Sequence, residues 1–201
     1  MSASGHSSNW GQSGNPGWNV VRLADIHATP WRNGGGVTRE LAMWPESGDW
    51  AWRMSVADVD KSGPFSKFEG IERWFAVLEG AGAQLDVAGA VHRMTTADAP
   101  LFFDGGAATG CELIDGKTRD FNLMVRRGPK PSRMLRIEER FAETLHSGTT
   151  IAVYAHASAA TVLFDEEVLQ LAPASLAWRS VAGSAAVRVA ARQALWMEIP
   201  L

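Results

Sequence analysis

The chain has 201 residues and a formal net charge of -3 at pH 7, with 46% hydrophobic and 20% charged residues. This composition is typical of a globular protein and argues against binding to nucleic acid, which requires a concentrated basic face. The densest basic segment, RRGPKPSRMLR at 126–136, contains Pro and Gly but no interleaved aromatic residues, so we interpret it as a solvated linker. No run of eighteen apolar residues occurs, and we therefore predict no transmembrane helix and no membrane partner.

The N-terminal segment MSASGHSSNWGQSGNPG lacks the basic region and the apolar core of a secretion signal. We expect a disordered leader over residues 1–17 and a cytoplasmic protein. The single cysteine, Cys111, excludes an intramolecular disulfide and a multi-cysteine zinc site. We interpret it as a small buried hydrophobe, because no neighbour in sequence would lower its pKa.

From Trp18 onward, hydrophobic and polar residues alternate with period two in short runs separated by Gly, Pro, Asp and Asn. Such runs predict many short β-strands. In the first half they are WNVVRL (18–23), VTRELAMW (37–44), DWAWRMSVADV (49–59), ERWFAVLEG (72–80), AQLDVAG (83–89), PLFFDGG (100–106), CELIDG (111–116) and DFNLMVRR (120–127). Turn residues recur about every ten positions, a spacing that favours a sandwich or closed barrel over a βαβ arrangement.

The segment RRGPKPSR at 126–133 predicts a connection, because its two prolines do not suit central strands. The second half resumes the alternation in MLRIEERF (134–141), TTIAVYAH (149–156), ATVLFD (160–165), EVLQLA (167–172), SLAWRS (175–180), SAAVRVAA (184–191) and ALWMEIP (194–200). Residues 138–146, EERFAETLH, are equally compatible with extended structure and with a short helix of one or two turns. The second half is poor in clusters of His, Asn, Arg and Gly, and we interpret it as a scaffold.

Two predicted strands carry an unusual set of polar residues on one face. In DWAWRMSVADV, Arg53 and Ser55 lie opposite the tryptophans, and in DFNLMVRR, Asp120 and Asn122 share a face with Met124. On an isolated strand these residues would face water. Asp-x-Asn suits an exposed strand poorly, however, because both residues disfavour extended structure. The lumen of a small barrel that holds one ligand is the alternative.

Further residues suggest recognition of an anion. Arg73 begins a strand and can act either as a surface ion-pair partner or as a fork for a carboxylate. WRNGGGVTRE at 31–40 contains three consecutive glycines, which carry a high entropic cost on folding. Such a run implies either a backbone turn with positive φ or the close approach of another group.

The segment GIERWFAVLEGAG resembles the end of the first cupin motif, in which a strand enters a glycine-containing turn. Metal-dependent cupins place a Glu and a His-x-His pair before that turn. Counting back from Gly80, the Glu position falls on Arg73, and the two His positions fall near Lys67 and Glu69, or Ser66 and Phe68. None of these is a histidine, so we expect no metal site and no cofactor.

A more specific resemblance is to the HutD/Ves family, carried in order by WRNGGGVTRE, WRMS, GPFSKFEGIERW and DFNLMVRR. It covers residues 18 to 130 strongly and implies an all-β fold of two tandem cupin-type barrels (a bicupin) with few short helical turns. The first barrel, 18–130, would hold a ligand pocket. The second, 131–201, would be a degenerate barrel packed on the first.

The resemblance implies a small anionic metabolite as partner, such as urocanate or formylglutamate, and a regulatory role in histidine utilisation; a homodimer is also allowed. Arg73 or Arg53 would bind the carboxylate, and Asn33, Asn122 and Ser55 would form hydrogen bonds. Gly34 to Gly36 would present backbone N–H groups at the barrel mouth, with Trp31 as a lid or wall. Phe65, Phe68 and Trp52 would form the apolar wall, and Asp120 completes the predicted ligand-binding set.

Two other functions remain open at this stage. The chain could be a metal-independent enzyme, an isomerase or hydrolase of a small carboxylate, with Asp120 or Glu69 as the acid or base. It could also be a protein-interaction module that uses its nine tryptophans, although most of these lie on faces assigned to the core. We favour ligand binding without turnover.

Overall fold

The computed structural model describes residues 17–200, so the predicted leader, apart from Gly17, lies outside the described residues. The fold within this range is almost entirely β, as expected from the alternation. One 3-10 turn occurs at Leu23–Asp25. The first-half strands are β1 Asn19–Arg22, β2 Thr29–Pro30, β3 Gly36–Trp44, β4 Trp52–Val59, β5 Gly63–Pro64, β6 Ile71–Glu79, β7 Ala83–Val87, β8 Ala90–Met94, β9 Leu101–Asp104, β10 Thr109–Leu113 and β11 Thr118–Arg126. The remaining strands are β12 Arg133–Ile137, β13 Arg140–Leu145, β14 Thr149–Ala155, β15 Ala160–Phe164, β16 Glu167–Leu171, β17 Ser175–Val181, β18 Ala185–Ala191 and β19 Ala194–Pro200.

The strands form four antiparallel sheets. The pocket sheet has the order β2-β3-β4-β11-β6-β9, and the cover sheet has the order β5-β10-β7-β8. The back sheet has the order β1-β17-β14-β19-β12, and the outer sheet has the order β13-β18-β15-β16. The first two sheets are built from the first half of the chain, and the last two are built mainly from the second half.

Three hydrophobic clusters order these sheets as layers. One cluster, with Phe75 and Leu85, lies between the pocket and cover sheets. A second, with Phe121 and Tyr154, joins the pocket sheet to the back sheet. The third, with Trp196, lies between the back and outer sheets. The two faces of a central strand therefore contact two different layers, which explains why β11 and β14 are buried along most of their length.

The structure corrects one prediction from the sequence. The segment EERFAETLH is not helical, because residues Arg140–Leu145 form β13 and pair with β18 along their whole length. β1 belongs by sequence to the first half, yet it pairs with β17 in the back sheet, from Asn19 opposite Trp178 to Arg22 opposite Ser175. The tandem-barrel arrangement and its boundary at residue 130 stay predictions.

Helical structure is minimal in this fold. Among residues 17–200, no helix is long and apolar enough to cross a membrane.

Candidate functional site

The main cavity opens between the pocket sheet and the loops that lead into the cover sheet, and its volume is about 510 Å³. This size lies within the usual range for sites that bind small molecules. The lining residues come from β3, β4, β6, β11 and the loops around residues 30–33 and 64–68. They are Pro30, Trp31, Arg32, Asn33, Thr38, Arg53, Ser55, Ala57, Pro64, Phe65, Ser66, Phe68, Arg73, Asp120, Asn122 and Met124.

Strand register places the polar lining in a grid on three central strands of the pocket sheet. Read across β4, β11 and β6, the rows are Arg53–Met124–Arg73, Ser55–Asn122–Phe75 and Ala57–Asp120–Val77. Because side chains alternate, these residues share the cavity face, while the intervening Phe121 and Leu123 pack against the back sheet. One end of the grid carries two guanidinium groups, and the other carries a carboxyl group.

Arg73 is the most buried cation of the site, with 6% of its surface exposed. Its Nε and Nη2 both donate to Oδ1 of Asn122, at 3.1 and 2.8 Å. Its guanidinium carbon lies 4.4 Å from the ring centre of Phe65 and 5.4 Å from that of Phe103. Burial lowers the pKa of Arg73 to about 10, so the group remains a cation at neutral pH. Its charge is bonded to a neutral amide, which leaves the electrostatic demand for an anion unmet.

Arg53 supplies a second cation on the neighbouring strand. Its guanidinium lies over the rings of Trp50 and Phe68, at 5.6 and 5.8 Å from their centres. Its only ion-pair partner in the described chain is the more exposed Glu40, with Nη1 and Oε2 3.6 Å apart. Its buried Nε has no hydrogen-bond partner. Burial lowers the pKa of Arg53, and Glu40 opposes the shift.

Asp120 is the unusual group of the site. Its side chain is fully buried, and within the described residues 17–200 neither carboxyl oxygen has a hydrogen-bond partner. Burial raises the pKa of Asp120 well above its ordinary value, and the nearby Arg73 offsets this effect only in part. Burial therefore favours the protonated form of this carboxyl group.

The glycine run is explained by the backbone rather than by the ligand. Gly34 adopts a φ of +65° in a turn where its N–H donates to the carbonyl of Trp31. The N–H of Gly35 donates to Oδ1 of Asn33 at 3.0 Å. A Cβ at Gly36 would lie 2.3 Å from the carbonyl oxygen of Asp58 on the paired strand. Gly34 and Gly35 do not line the cavity, and the prediction that they present free N–H groups to a ligand is wrong.

The apolar wall also differs from the prediction in one member. Phe65 and Phe68 line the cavity as expected, but Trp52 lies on the opposite face of β4, is 3% exposed and packs in the cluster toward the back sheet. Trp31 lines the cavity, and its Nε1 donates to Oγ1 of Thr38 at 2.7 Å. The sequence reading did not single out Thr38, although its hydroxyl lies next to the glycine run. Glu69, the alternative acid or base, is exposed and does not line the cavity.

The lining residues do not fit a metal ion. They provide three guanidinium groups, from Arg32, Arg53 and Arg73, together with amides, hydroxyls and one acid, and the position expected for a ligating Glu holds Arg73. Divalent metals bind carboxylate, imidazole or thiolate groups and are repelled by buried cations. Among residues 17–200, no group of three or more His, Cys, Asp and Glu side chains is arranged to hold a metal ion.

A charged cluster lies behind the site, on the opposite face of the pocket sheet. Asp58 accepts hydrogen bonds from Arg39 and from Arg119, each at 2.6 Å. Arg119 also donates to Glu79 at 2.9 Å. His156, which directly follows β14 of the back sheet, has its Nε2 3.8 Å from the same Glu79 carboxylate. A shift in register between Arg119 and Asp120 leaves one extra residue on β6 and turns Glu79 toward the back sheet. Arg39 and Arg119 of this cluster are bonded to carboxylates, whereas Arg73 of the cavity donates to the neutral amide of Asn122.

A model of the HutD family matches residues 23–197. The chain belongs to the HutD family. It is 38% identical over 109 residues to an uncharacterized 21.2 kDa protein in the hutC 3' region of Pseudomonas putida, a match covering 52% of this chain and 56% of that protein. It is 35% identical over 111 residues to the protein Ves of Cronobacter sakazakii, covering 53% and 61%. This chain thus spans 56% and 61% of the length of these two curated relatives.

Solved structures extend the likeness to the whole fold of this HutD-family chain. HutD from Pseudomonas fluorescens SBW25, solved in a formate condition, matches with a TM-score of 0.80 and 30% identity, covering 92% of this chain and 99% of that one. A cupin 2 conserved barrel domain protein from Leptotrichia buccalis matches with a TM-score of 0.54 at 8% identity, covering 90% and 96%. The second match concerns the fold alone and supports the all-β cupin class.

Proposed function

We propose that this HutD-family chain binds a small carboxylate in the cavity of the pocket sheet and acts as a ligand-responsive regulator of histidine utilisation. The single observation that carries the proposal is the environment of Arg73. A buried guanidinium that donates two hydrogen bonds to a neutral amide, with aromatic rings on its faces, is prepared for an anion. Arg53 offers a second cation on β4, and Met124 of β11 lies between it and Arg73 in the same row of the sheet.

The names of the family and of one relative connect the proposal to histidine utilisation. The family bears the name HutD, and one relative is named for its position beside hutC. Urocanate, formylglutamate and formiminoglutamate are small anions that combine a carboxylate with an imidazole, amide or imine group. The arginines of the cavity can bind the carboxylate of such a ligand, and Asn122, Ser55 and Asp120 can form hydrogen bonds with its imidazole, amide or imine group.

A metal-independent isomerase or hydrolase is the second candidate, and one observation favours it. Asp120 is a fully buried acid inside the cavity, and burial raises its pKa, the same direction of shift by which enzymes prepare a carboxyl group as a general acid. Incubation of the protein with each binding compound, followed by proton NMR, separates the two candidates. Stoichiometric binding without a new product supports regulation, whereas product formation that stops in Asp120→Leu supports catalysis.

Binding is tested by thermal shift with urocanate, formylglutamate, formiminoglutamate, histidine and simple dicarboxylates. A ligand at one hundred times its Kd stabilises the native state by about 2.7 kcal/mol. For a chain of this length that corresponds to a rise in Tm of about 5 to 10 °C. We expect one pathway carboxylate to give this rise selectively.

Matched variants locate the binding. Arg73→Ala removes the guanidinium, and Arg73→Met removes it while keeping an aliphatic stem between Phe65 and Phe103. Both should abolish the ligand-induced shift. Arg22→Ala, at an exposed arginine of β1, should retain it. An unchanged shift in folded Arg73→Met would refute the proposed anion site, and a flat response of the wild type to the whole set would refute the histidine-pathway assignment.

A further inference from the structure

The carboxyl group of Asp120 has an unusual position within the cavity. It lies on β11, in the middle of the pocket sheet, with no exposed surface and no hydrogen-bond partner on either oxygen. Arg73, on β6, is the nearby cation, and it directs two N–H groups to Asn122 instead. Asp120 is therefore a buried acid whose oxygens have no hydrogen-bond partner among residues 17–200, and it lines the same cavity as Arg53 and Arg73.

The charged and titratable groups around Asp120 come from three other strands. Arg73 of β6 favours the ionised form, and Asp58 of β4 opposes it from the other face of the sheet. The thiol of Cys111 on β10 lies close enough that Asp120 contributes to raising the pKa of that thiol to about 12, after the larger effect of burial. Burial outweighs the attraction of Arg73 and raises the pKa of Asp120 well above its ordinary value.

We propose that Asp120 is a neutral carboxylic acid that donates a hydrogen bond to the ligand, so that the site selects carboxylates that also carry an uncharged acceptor, such as a carbonyl oxygen or an imine nitrogen. This inference rests on the proposed function and specifies the ligand class of the same site. A ligand with an ammonium group in that position would meet an acid proton instead of a carboxylate. A second carboxylate there would be buried without an ion-pair partner, because the nearby Arg73 already donates to Asn122.

The register limits how far apart the two ligand groups lie. The side chain of Arg73 on β6 extends to Asn122, in the next row of the grid on β11. Asp120 lies on the same face of β11, one row beyond Asn122. Residues two apart on a strand are separated by roughly 7 Å. A carboxylate that contacts Arg73 and an acceptor that contacts Asp120 therefore belong to one compact molecule, a few bonds apart.

Three matched probes test this selection by isothermal titration calorimetry: 4-oxopentanoate, 4-aminopentanoate and pentanoate. They share the carboxylate and the chain length, and they place a carbonyl acceptor, an ammonium donor or no polar group at the fourth carbon. We expect 4-oxopentanoate to bind about tenfold more tightly than pentanoate, the value of one hydrogen bond at the upper end of the usual range. We expect 4-aminopentanoate to bind more weakly than either, and a preference for it would overturn the inference.

Variants of Asp120 identify the donor. Asp120→Asn keeps an N–H donor of similar shape and should retain most of the preference for 4-oxopentanoate. Asp120→Leu removes every polar atom and should bind 4-oxopentanoate and pentanoate equally. Asp115→Asn, at an exposed loop position, is the control and should match the wild type. If Asp120→Leu retained the tenfold preference, the assignment of Asp120 as donor would be wrong.

A measurement without ligand separates failure of this inference from failure of the proposed function. Carbon-13 NMR of aspartate-labelled protein, with the Asp120 signal assigned by its absence in Asp120→Asn, reports whether the acid is protonated at pH 7. Titration of Asp120 near the ordinary aspartate value would overturn the inference, whatever the cavity binds. If the acid is neutral but pentanoate binds equally well to Arg73→Met, the anion site itself fails, and the ligand class inferred from it fails as well.

Discussion

The pair formed by Arg73 and Asn122 gives a quantitative prediction about stability. Asn122→Leu removes the one oxygen that accepts both the 3.1 Å and the 2.8 Å hydrogen bonds from a guanidinium that is 6% exposed. A hydrogen bond to a charged group contributes about 1.5 to 3 kcal/mol, and leaving a buried charged donor unpaired adds to the loss. Because both bonds share one acceptor, we expect a loss of about 3 kcal/mol in the free energy of unfolding.

The double variant separates the interaction from the burial of each side chain. Arg73→Met alone leaves the amide of Asn122 without its partner and should cost about 2 kcal/mol. Replacing both partners by apolar residues removes every unsatisfied group, so Arg73→Met with Asn122→Leu should cost less than the two single changes together. We expect a coupling energy of about 2 kcal/mol, within the range measured for contacting residues.

Urea unfolding followed by tryptophan fluorescence measures these values, with the slope m as a check that the denatured state is unchanged. The loss for Asn122→Leu corresponds to a fall in Tm of about 6 to 12 °C for a chain of this size. Gln84→Leu, at an exposed position of β7, is the control for exchanging an amide for leucine. Additive costs in the double variant, or a change below about 0.5 kcal/mol in Asn122→Leu, would refute the reasoning.

Three further predictions concern other features of the fold. Gly36→Ala should lower the free energy of unfolding by about 2 to 4 kcal/mol, because the new Cβ would contact the backbone of Asp58. Gly34 has a positive φ but open space around it, so Gly34→Ala should cost only about 1 kcal/mol in the same urea assay. Folding raises the pKa of Asp120, so the stability that its protonated carboxyl group contributes is fully present below about pH 4 and decreases as the pH rises toward the folded pKa. Asp120→Leu should therefore be more stable than the wild type at pH 8, and equal or lower stability at that pH would contradict the burial argument. Burial lowers the pKa of His156 against the opposing effect of Glu79, so stability should fall as the pH drops below about 6.5, and His156→Gln should show a smaller fall in pH-dependent melting.

The faces of the central strands could be predicted from the sequence. Period-two alternation assigned Arg53 and Ser55 to one face of β4, and Asp120 and Asn122 to one face of β11, and the structure has them together in the cavity. The polar residues were informative because they interrupt strands that are otherwise apolar on both faces. Arg73 lies in the same cavity because its strand pairs with β11 in matching register.

Other features depend on contacts that no local pattern encodes. The wall position of Trp52 was wrong because an aromatic residue suits either face, and alternation had already placed it opposite Arg53. The glycine run was assigned to a ligand because the sequence does not show that the backbone of β4 passes within contact distance of Gly36. The helical alternative for EERFAETLH failed because pairing with β18, which lies more than forty residues later, outweighs local preference.

The pairing of β1 with β17 has a consequence for the order of synthesis. Asn19 is synthesised long before its partner Trp178. The back sheet therefore remains incomplete until β17 has been synthesised and has paired with β1. Pairings of such long sequence separation form slowly, and exposed edges aggregate in the meantime. A nascent chain truncated before residue 175 would leave β1 unpaired, so the back sheet closes only after β17 has been synthesised and not on completion of the first-half strands.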